Sequence, residues 1–340
     1  MEGLKTLEYR GYDSAGIAVV NDGVIDVRRA SGKLKNLEEV LSRQPLNGQF
    51  GLGHTRWATH GRPTEENAHP HRDCTGRIVV AHNGIIENYL QLKRILTGSG
   101  HTFRTETDTE IIAHLLESHF DGNLEEAVRK TLPQLKGLFA FIAMSADDPQ
   151  KIVAVREGAP LVLGSSDGEG FVASDVPALL PHTRDILFLD EHEVATVSPK
   201  GIRLMDVSGS VVAPKFQRVT WDPIQAEKSG FKHFMLKEIF EQPRALADTL
   251  GAWLDLAAGR FRLDSAQTSA RAGRPGAKVS HEEVVRAFDQ ASMIHVVACG
   301  TAAYAGMYGQ QLLEKLARVP GRAELASEFR YRDPVLRASD

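Results

Sequence analysis

The chain has 340 residues, of which 42% are hydrophobic and 25% charged, with a formal net charge of −4. That length exceeds one ordinary core, so two domains are expected, and the mildly acidic balance offers no basic surface to nucleic acid. No apolar run approaches the ~18 residues of a membrane helix and no secretory signal is visible, while two distant cysteines, Cys74 and Cys299, argue against a disulfide framework and for a reducing cytoplasm.

Residues 1–210 are dense in short strands. Ala15–Val20 is β-prone, Asn21-Asp22-Gly23 supplies a turn and Val24–Arg28 alternates, which predicts a hairpin. Phe50–His54, Ile78–His82, Phe139–Met144, Ile152–Val155 and Leu161–Leu163 read as further strands. Between them, helices are predicted over Leu34–Leu41, Ile85–Leu96, Thr109–His119, with Thr107 or Asp108 as its cap, and Leu124–Leu135. Strand groups separated by helices suit stacked sheets covered by helices.

The character changes after Asp206. His233–Leu256 has a helical pattern that Pro243 is expected to split in two. Ala257–Lys278 is rich in Gly, Arg, Ser and Ala and reads as a connection. Glu282–Ala291 (helix), Ile294–Cys299 (strand), Gly300-Thr301 (turn) and Ala302–Ala317 (helix) then open a doubly wound pattern, which does not run far enough before Asp340 to close a sheet. The organisation expected is a strand-dense domain over 1–210, helices and a linker over 211–280, and the start of a doubly wound domain over 281–340.

Three segments offer chemistry. Gly53-His54-Thr55-Arg56-Trp57-Ala58-Thr59-His60-Gly61 follows a strand and could bind a small zwitterion, since arginine grips a carboxylate with a two-pronged fork; it could equally be a solvated loop. His82-Asn83-Gly84 ends a strand, where the Asn83 amide and the Gly84 N–H could face one developing oxyanion, or simply make a turn. In Thr105–Glu110, Asp108 could hold a substrate ammonium or only cap a helix.

Together with Leu7-Glu8-Tyr9-Arg10-Gly11-Tyr12-Asp13-Ser14-Ala15-Gly16, these motifs resemble, in order and spacing, the glutaminase domain of the glutamine–fructose-6-phosphate aminotransferase family. The resemblance continues through His233–Pro243, Ala298–Thr301 and Ala326–Arg332, and so covers nearly the whole chain. It implies an N-terminal-nucleophile hydrolase fold, four layers ordered αββα, followed by the start of a doubly wound sugar isomerase (SIS) domain. It implies that Arg56, with Thr59 and His60, binds the glutamine α-carboxylate and that Asp108 holds the ammonium. Asn83 and Gly84 would form the oxyanion hole, Trp57 would gate ammonia, and Arg10, Gly11 and His69 would support the site.

Cys299, Gly300 and Thr301 would meet a sugar phosphate, although Ala302 stands where the family often has serine. The implied substrates are L-glutamine and fructose 6-phosphate, and the implied assembly is a homodimer. No cofactor is implied, and no clustered His/Cys spacing suggests a metal.

The family's nucleophile is an N-terminal cysteine whose own amine is the base. It is expected ahead of the segment that opens this chain, so the 340 residues alone are expected to be inactive. Cys74, in Asp73-Cys74-Thr75-Gly76, reads as a structural thiol. Two other readings stand beside this one: a non-catalytic binding or dimerisation fragment, and another amidotransferase of the same fold, such as the purine-pathway phosphoribosyl enzyme.

Overall fold

The computed structural model describes residues 1–57, 61–166, 168–220, 231, 233–255, 260–261, 281–337 and 339–340. They fall into two units, Met1–Gly230 and Phe231–Asp340.

The first unit opens with α1 (Glu2–Leu7). The expected hairpin follows: β1 (Ser14–Asn21) pairs antiparallel with β2 (Val24–Ser31) through the Asp22-Gly23 turn, where both residues have positive φ, and on its other side with β3 (Phe50–Arg56). A seven-stranded sheet contains, from one edge inward, β4 (His71–Arg72), β5 (Ile78–Ile86), β6 (Gly137–Ser145) and β7 (Ile152–Glu157). Across from β7 it continues with β11 (Glu193–Ser198), β12 (Gly201–Asp206) and β13 (Val211–Val212). A four-stranded sheet is built from β8 (Val162–Ser166), β9 (Glu169–Ala173), β10 (Asp185–Phe188) and β14 (Phe216–Arg218). Strands β13 and β14 thus belong to the first unit.

The pleat explains the layers. On β5 and β6, Ile78, Val80, Phe139, Phe141 and Ala143 face one way and pack on α3 (Tyr89–Gly98), α4 (Glu110–His119) and α5 (Leu124–Thr131) through Leu92, Ile111, Leu115 and Leu124. The alternate residues Val79, Ala81 and Met144 face the opposite way, onto Ala18, Ile25 and Leu52 of the β1–β3 sheet. Ala140, Ala154 and Ala195 likewise pack on Leu161, Leu163 and Leu187 of the four-stranded sheet. Outside the β1–β3 sheet lies α2 (Leu34–Arg43), burying Leu34 and Leu37 against Ala15 and Ala30. The order helices, sheet, sheet, helices is the four-layer arrangement. Each fully buried leucine contributes on the order of 2 kcal/mol.

Two local expectations are corrected here. The Asn83-Gly84 pair is not a turn: β5 runs on to Ile86 because β6 extends far enough to pair Gly84 with Phe139 and Ile86 with Gly137, and α3 starts at Tyr89 rather than Ile85. Asp108 does not cap α4. Thr109 holds the N-cap position without a side-chain bond, and the Asp108 carboxylate accepts instead from the Ile86 N–H at 2.8 Å.

In the second unit, α6 (Phe234–Trp253) is one helix that continues through Pro243, since the proline's fixed φ is itself helical and only one ladder bond is lost. Leu254–Asp255, expected to be helical, pair as a short strand with Arg260–Phe261, and the rest of the 257–278 connection lies outside the described residues. After α7 (His281–Gln290), the parallel strands β15 (Ile294–Ala298) and β16 (Gly321–Leu325) are joined through α8 (Gly300–Leu312), a βαβ unit of the type expected.

Candidate functional site

Between the two sheet layers of the first unit lies a cavity of about 810 Å³. Its polar wall contains Arg56 and Trp57 at the end of β3, Asn83 and Gly84 on β5, and Asp108 ahead of α4; His69 and Arg10 also line it. Residues separated by up to half of the unit's length thus converge. Thr59 and His60, expected beside Arg56, lie outside the described residues.

Arg56 is 3% exposed and donates to the backbone carbonyls of Arg62 (3.1 Å) and Gly61 (3.3 Å). Burial pushes its pKa down from the usual arginine value, and the charges of Asp13, Asp108 and Glu106 pull it back up. The guanidinium therefore shapes the loop it lies under as well as charging the cavity wall. Gly11, which does not line the cavity, packs on the backbone beneath it: a Cβ there would stand 2.7 Å from the Arg56 carbonyl carbon and 2.9 Å from the Trp57 nitrogen. Trp57 is 57% exposed at the rim, edge-on to Tyr12 at 5.4 Å. Arg10 pairs with Asp175 at 3.0 Å.

The period of β5 places Asn83 on the same face as Val79 and Ala81, toward the cavity, and His82 on the helix side. The Oδ1 of Asn83 lies 2.9 Å from His54 Nε2. An amide oxygen only accepts, so His54 carries its proton on Nε2 and the Asn83 NH₂ is turned away from His54. Gly84 has φ +116°, a conformation that L side chains rarely adopt, and a Cβ there would stand 2.1 Å from the Leu138 carbonyl oxygen.

Part of the same wall is a set of buried histidines that the sequence pattern did not join; His54, His69 and His82 all line the cavity. His69 stacks on His54 with ring centroids 4.3 Å apart. The His82 N–H donates to His69 Nδ1 at 3.3 Å, His69 Nε2 meets Thr109 Oγ1 at 3.4 Å, and Thr109 Oγ1 meets His82 Nδ1 at 2.8 Å. With Nδ1 accepting, His69 donates through Nε2, which leaves the Thr109 hydroxyl to donate to His82, so the ring of bonds closes. His71 Nε2 contacts Thr107 Oγ1 at 3.2 Å. Burial lowers His54 to about 4, and burial with the neighbouring imidazoles holds His69 well below its ordinary value. Burial, then the charges of Arg29 and Arg56, does the same to His71. His54 thus orients Asn83, while His71, His69 and His82 bond Thr107 and Thr109 on either side of Asp108. Only His69 of this set was singled out from sequence, because the others are joined by folding and not by spacing.

Cys74 does not line the cavity, and burial pushes its thiol pKa up, which suits a structural rather than nucleophilic sulfur. Neither cysteine is among the residues lining this site. In the second unit, Cys299 is exposed and holds the N-cap position of α8, so Gly300 and Thr301 form that helix's first turn.

A glutamine amidotransferase domain profile matches residues 54–181, the stretch that supplies Arg56, Asn83, Gly84 and Asp108. A solved glutamine phosphoribosylpyrophosphate amidotransferase from B. subtilis is 27% identical, with a TM-score of 0.51 over 62% of this chain and 46% of its own. The structure of an allosteric regulatory enzyme of purine biosynthesis, 19% identical, has a TM-score of 0.55 over 96% of this chain and 77% of its own, a likeness of fold alone. Residues 54–181 thus carry a glutamine amidotransferase domain.

The sequence relatives are more specific. Glutamine–fructose-6-phosphate aminotransferases (isomerizing) from Symbiobacterium thermophilum and Thermus thermophilus are each 49% identical over 99% of this chain, which covers 53% and 52% of them. The chain is similar to these aminotransferases over nearly its whole length and spans about half the length of the curated relatives it matches.

Proposed function

We propose that the first unit binds L-glutamine and presents its side-chain amide for hydrolysis, the ammonia serving to convert fructose 6-phosphate to glucosamine 6-phosphate. The observation that carries this reading is the convergence of a buried cation, a carboxylate and the Asn83–Gly84 pair on one cavity. Glutamine carries a carboxylate and an ammonium on one carbon. Arg56 takes the first and Asp108 the second, so the ligand has one orientation, with its amide toward Asn83 and Gly84. The NH₂ of Asn83 and the N–H of Gly84 then donate to the oxygen that becomes negative when a thiol attacks. Thr59 and His60 extend the carboxylate pocket and Trp57 guards the ammonia exit.

The proposal assigns the attacking thiol to no residue of this chain, because neither Cys74 nor Cys299 lines the cavity. The 340 residues alone therefore bind glutamine without turning it over. In the second unit, the βαβ geometry supports a SIS domain opening at residues 281–340, with Cys299, Gly300 and Thr301 meeting the sugar phosphate at the start of α8. The amidotransferase core includes β13 and β14 and so extends past the boundary expected at residue 210. We place the protein in the cytoplasm as a homodimer, as the resemblance implies. The degree of identity to the fructose-6-phosphate enzymes favours this reading over a phosphoribosyl amidotransferase or a non-catalytic fragment.

Calorimetric titration of the chain with glutamine tests the site. A charge-assisted contact is worth roughly 1.5–3 kcal/mol, so Arg56→Ala or Asp108→Asn should weaken binding by about one to two orders of magnitude. Unchanged affinity in both variants, with melting temperatures preserved, removes these residues from the site.

A further inference from the structure

The turn after β4, the loop after α3 and the body of α4 bring together four side chains outside the cavity: Cys74, His101, His114 and Glu117. Cys74 Sγ lies 3.4 Å from His114 Nδ1 and 3.6 Å from His101 Nδ1. Glu117 Oε2 lies 3.0 Å from His101 Nδ1 and 3.3 Å from His114 Nδ1. One ligand atom from each residue can be chosen so that all lie within 4.8 Å of one another. His114 is buried and the other three are partly so.

The proton inventory shows what is missing among them. The Ser118 hydroxyl donates to the His114 carbonyl at 2.9 Å, so its oxygen must accept from His101 Nε2 at 3.0 Å. A neutral His101 then has no proton on Nδ1. The Nε2 of His114 lies 3.5 Å from the Glu110 carboxylate, so a neutral His114 with its proton on that side leaves its Nδ1 bare as well. The Thr102 N–H points at Cys74 Sγ at 3.3 Å, treating the sulfur as an acceptor. Two imidazole lone pairs, a carboxylate oxygen and a sulfur thus converge with at most the thiol proton between them. Four electron donors at van der Waals distance or closer repel one another unless a cation lies between.

We propose that Cys74, His101, His114 and Glu117 form a tetrahedral zinc site. With ordinary zinc bond lengths, the edges of such a tetrahedron are about 3.5 Å for S–N and about 3.3 Å for N–O; four of its six edges lie near those values, and the S–O and N–N edges are under 4.8 Å. The donor set, one thiolate, two imidazoles and one carboxylate, suits zinc better than the hard cations, which prefer oxygen alone. On binding, the Cys74 thiol gives up its proton to solvent, the other three residues contribute lone pairs, and the thiolate and carboxylate balance the dication. Four protein ligands leave no open position, so the role is structural.

The site would reach the cavity through Glu110, whose carboxylate also accepts from the N–H groups of Arg104 (2.8 Å) and Thr105 (2.7 Å), in the loop that leads to Asp108. Ser118 and Glu110 act as the outer partners that fix the tautomers of the two ligating histidines. Only His114 and Glu117, three residues apart on α4, are near one another in sequence, and the set matches no zinc spacing motif.

The test is metal analysis of the purified full chain together with cobalt reconstitution. Expected are about one zinc per chain after dialysis, a thiolate-to-cobalt charge-transfer band that Cys74→Ser abolishes, and a melting temperature lowered by chelator and restored by zinc. Ser118→Ala should keep the band but weaken metal affinity by about 10–100-fold. Absence of retained zinc together with no cobalt–thiolate band in the unaltered chain overturns the proposal, as does a band that survives Cys74→Ser. Should Cys74→Ser fail to fold, the stoichiometry and cobalt spectrum of the unaltered chain decide it.

Discussion

His54 shows how one neutral imidazole prepares a neighbouring amide. By donating to Asn83 Oδ1 it fixes which end of the amide faces the cavity. In a form of the enzyme that turns over glutamine, Asn83→Ala should lower kcat by roughly 10²-fold or more with little change in KM, since the oxyanion exists only along the reaction path. His54→Ala removes only the orienting bond, so a smaller kcat loss, about tenfold, is expected at unchanged KM, and His54→Gln, which keeps a donor, should recover part of it. Equal losses in kcat and in melting temperature for both positions would instead mark them as loop supports. At this scale Arg56, Asn83 and Asp108 were singled out only because their motifs together resemble one family; each alone read as well as a solvated loop, a turn or a helix cap. Their second duties were not legible. That Arg56 also clamps Gly61 and Arg62, and that Asp108 bonds to Ile86 rather than capping α4, depends on which distant backbone groups folding brings near.

Strand β5 carries the element-scale lesson. Alternation predicted it through His82, but Asn-Gly is the commonest turn signal, and only pairing with β6 overrides it. Gly84 is what allows the override, since its φ of +116° lies outside the range of other residues and the Leu138 carbonyl leaves no room for a side chain. Gly84→Ala should therefore destabilise the first unit by about 1–3 kcal/mol from backbone strain alone, seen as an earlier denaturant midpoint with an unchanged slope. A wild-type midpoint would show that the strand end relaxes freely. The long amphipathic helices α2, α4 and α5 were readable from period alone. Strands β9 to β14 were not, being short and set among turn residues, and Pro243 was misread because a single lost bond does not outweigh the rest of a helix.

Across the molecule, the buried histidines tie stability to pH. Folded His54 protonates only near pH 4, and burial holds His69 and His71 well below the ordinary histidine value, whereas unfolded histidines protonate near about 6.5. The unfolded chain therefore binds more protons in that interval, and stability is full above pH 6.5 and is lost as the pH falls toward 4. Each histidine contributes a slope of up to about 1.4 kcal/mol per pH unit. Melting temperatures recorded from pH 7.5 to 4 should fall accordingly, and less steeply when His71 is replaced by Asn; an unchanged slope would mean that these imidazoles already accept protons in the fold. The four-layer order was inferred from family resemblance, and the sheet faces confirm it residue by residue. One consequence concerns insertions and deletions. The central sheet gives one face to the helices and the other to the opposing sheet, so β5 has a parity: Val79, Ala81 and Asn83 on one side, Ile78, Val80 and His82 on the other. Removing one residue from the middle of β5 exchanges odd for even on one side of the gap, turning Asn83 out of the cavity and the His82 ring into it while misplacing both sets of core side chains. Removing two keeps the parity and shortens only the reach, so drift in length along this strand is expected to come in pairs.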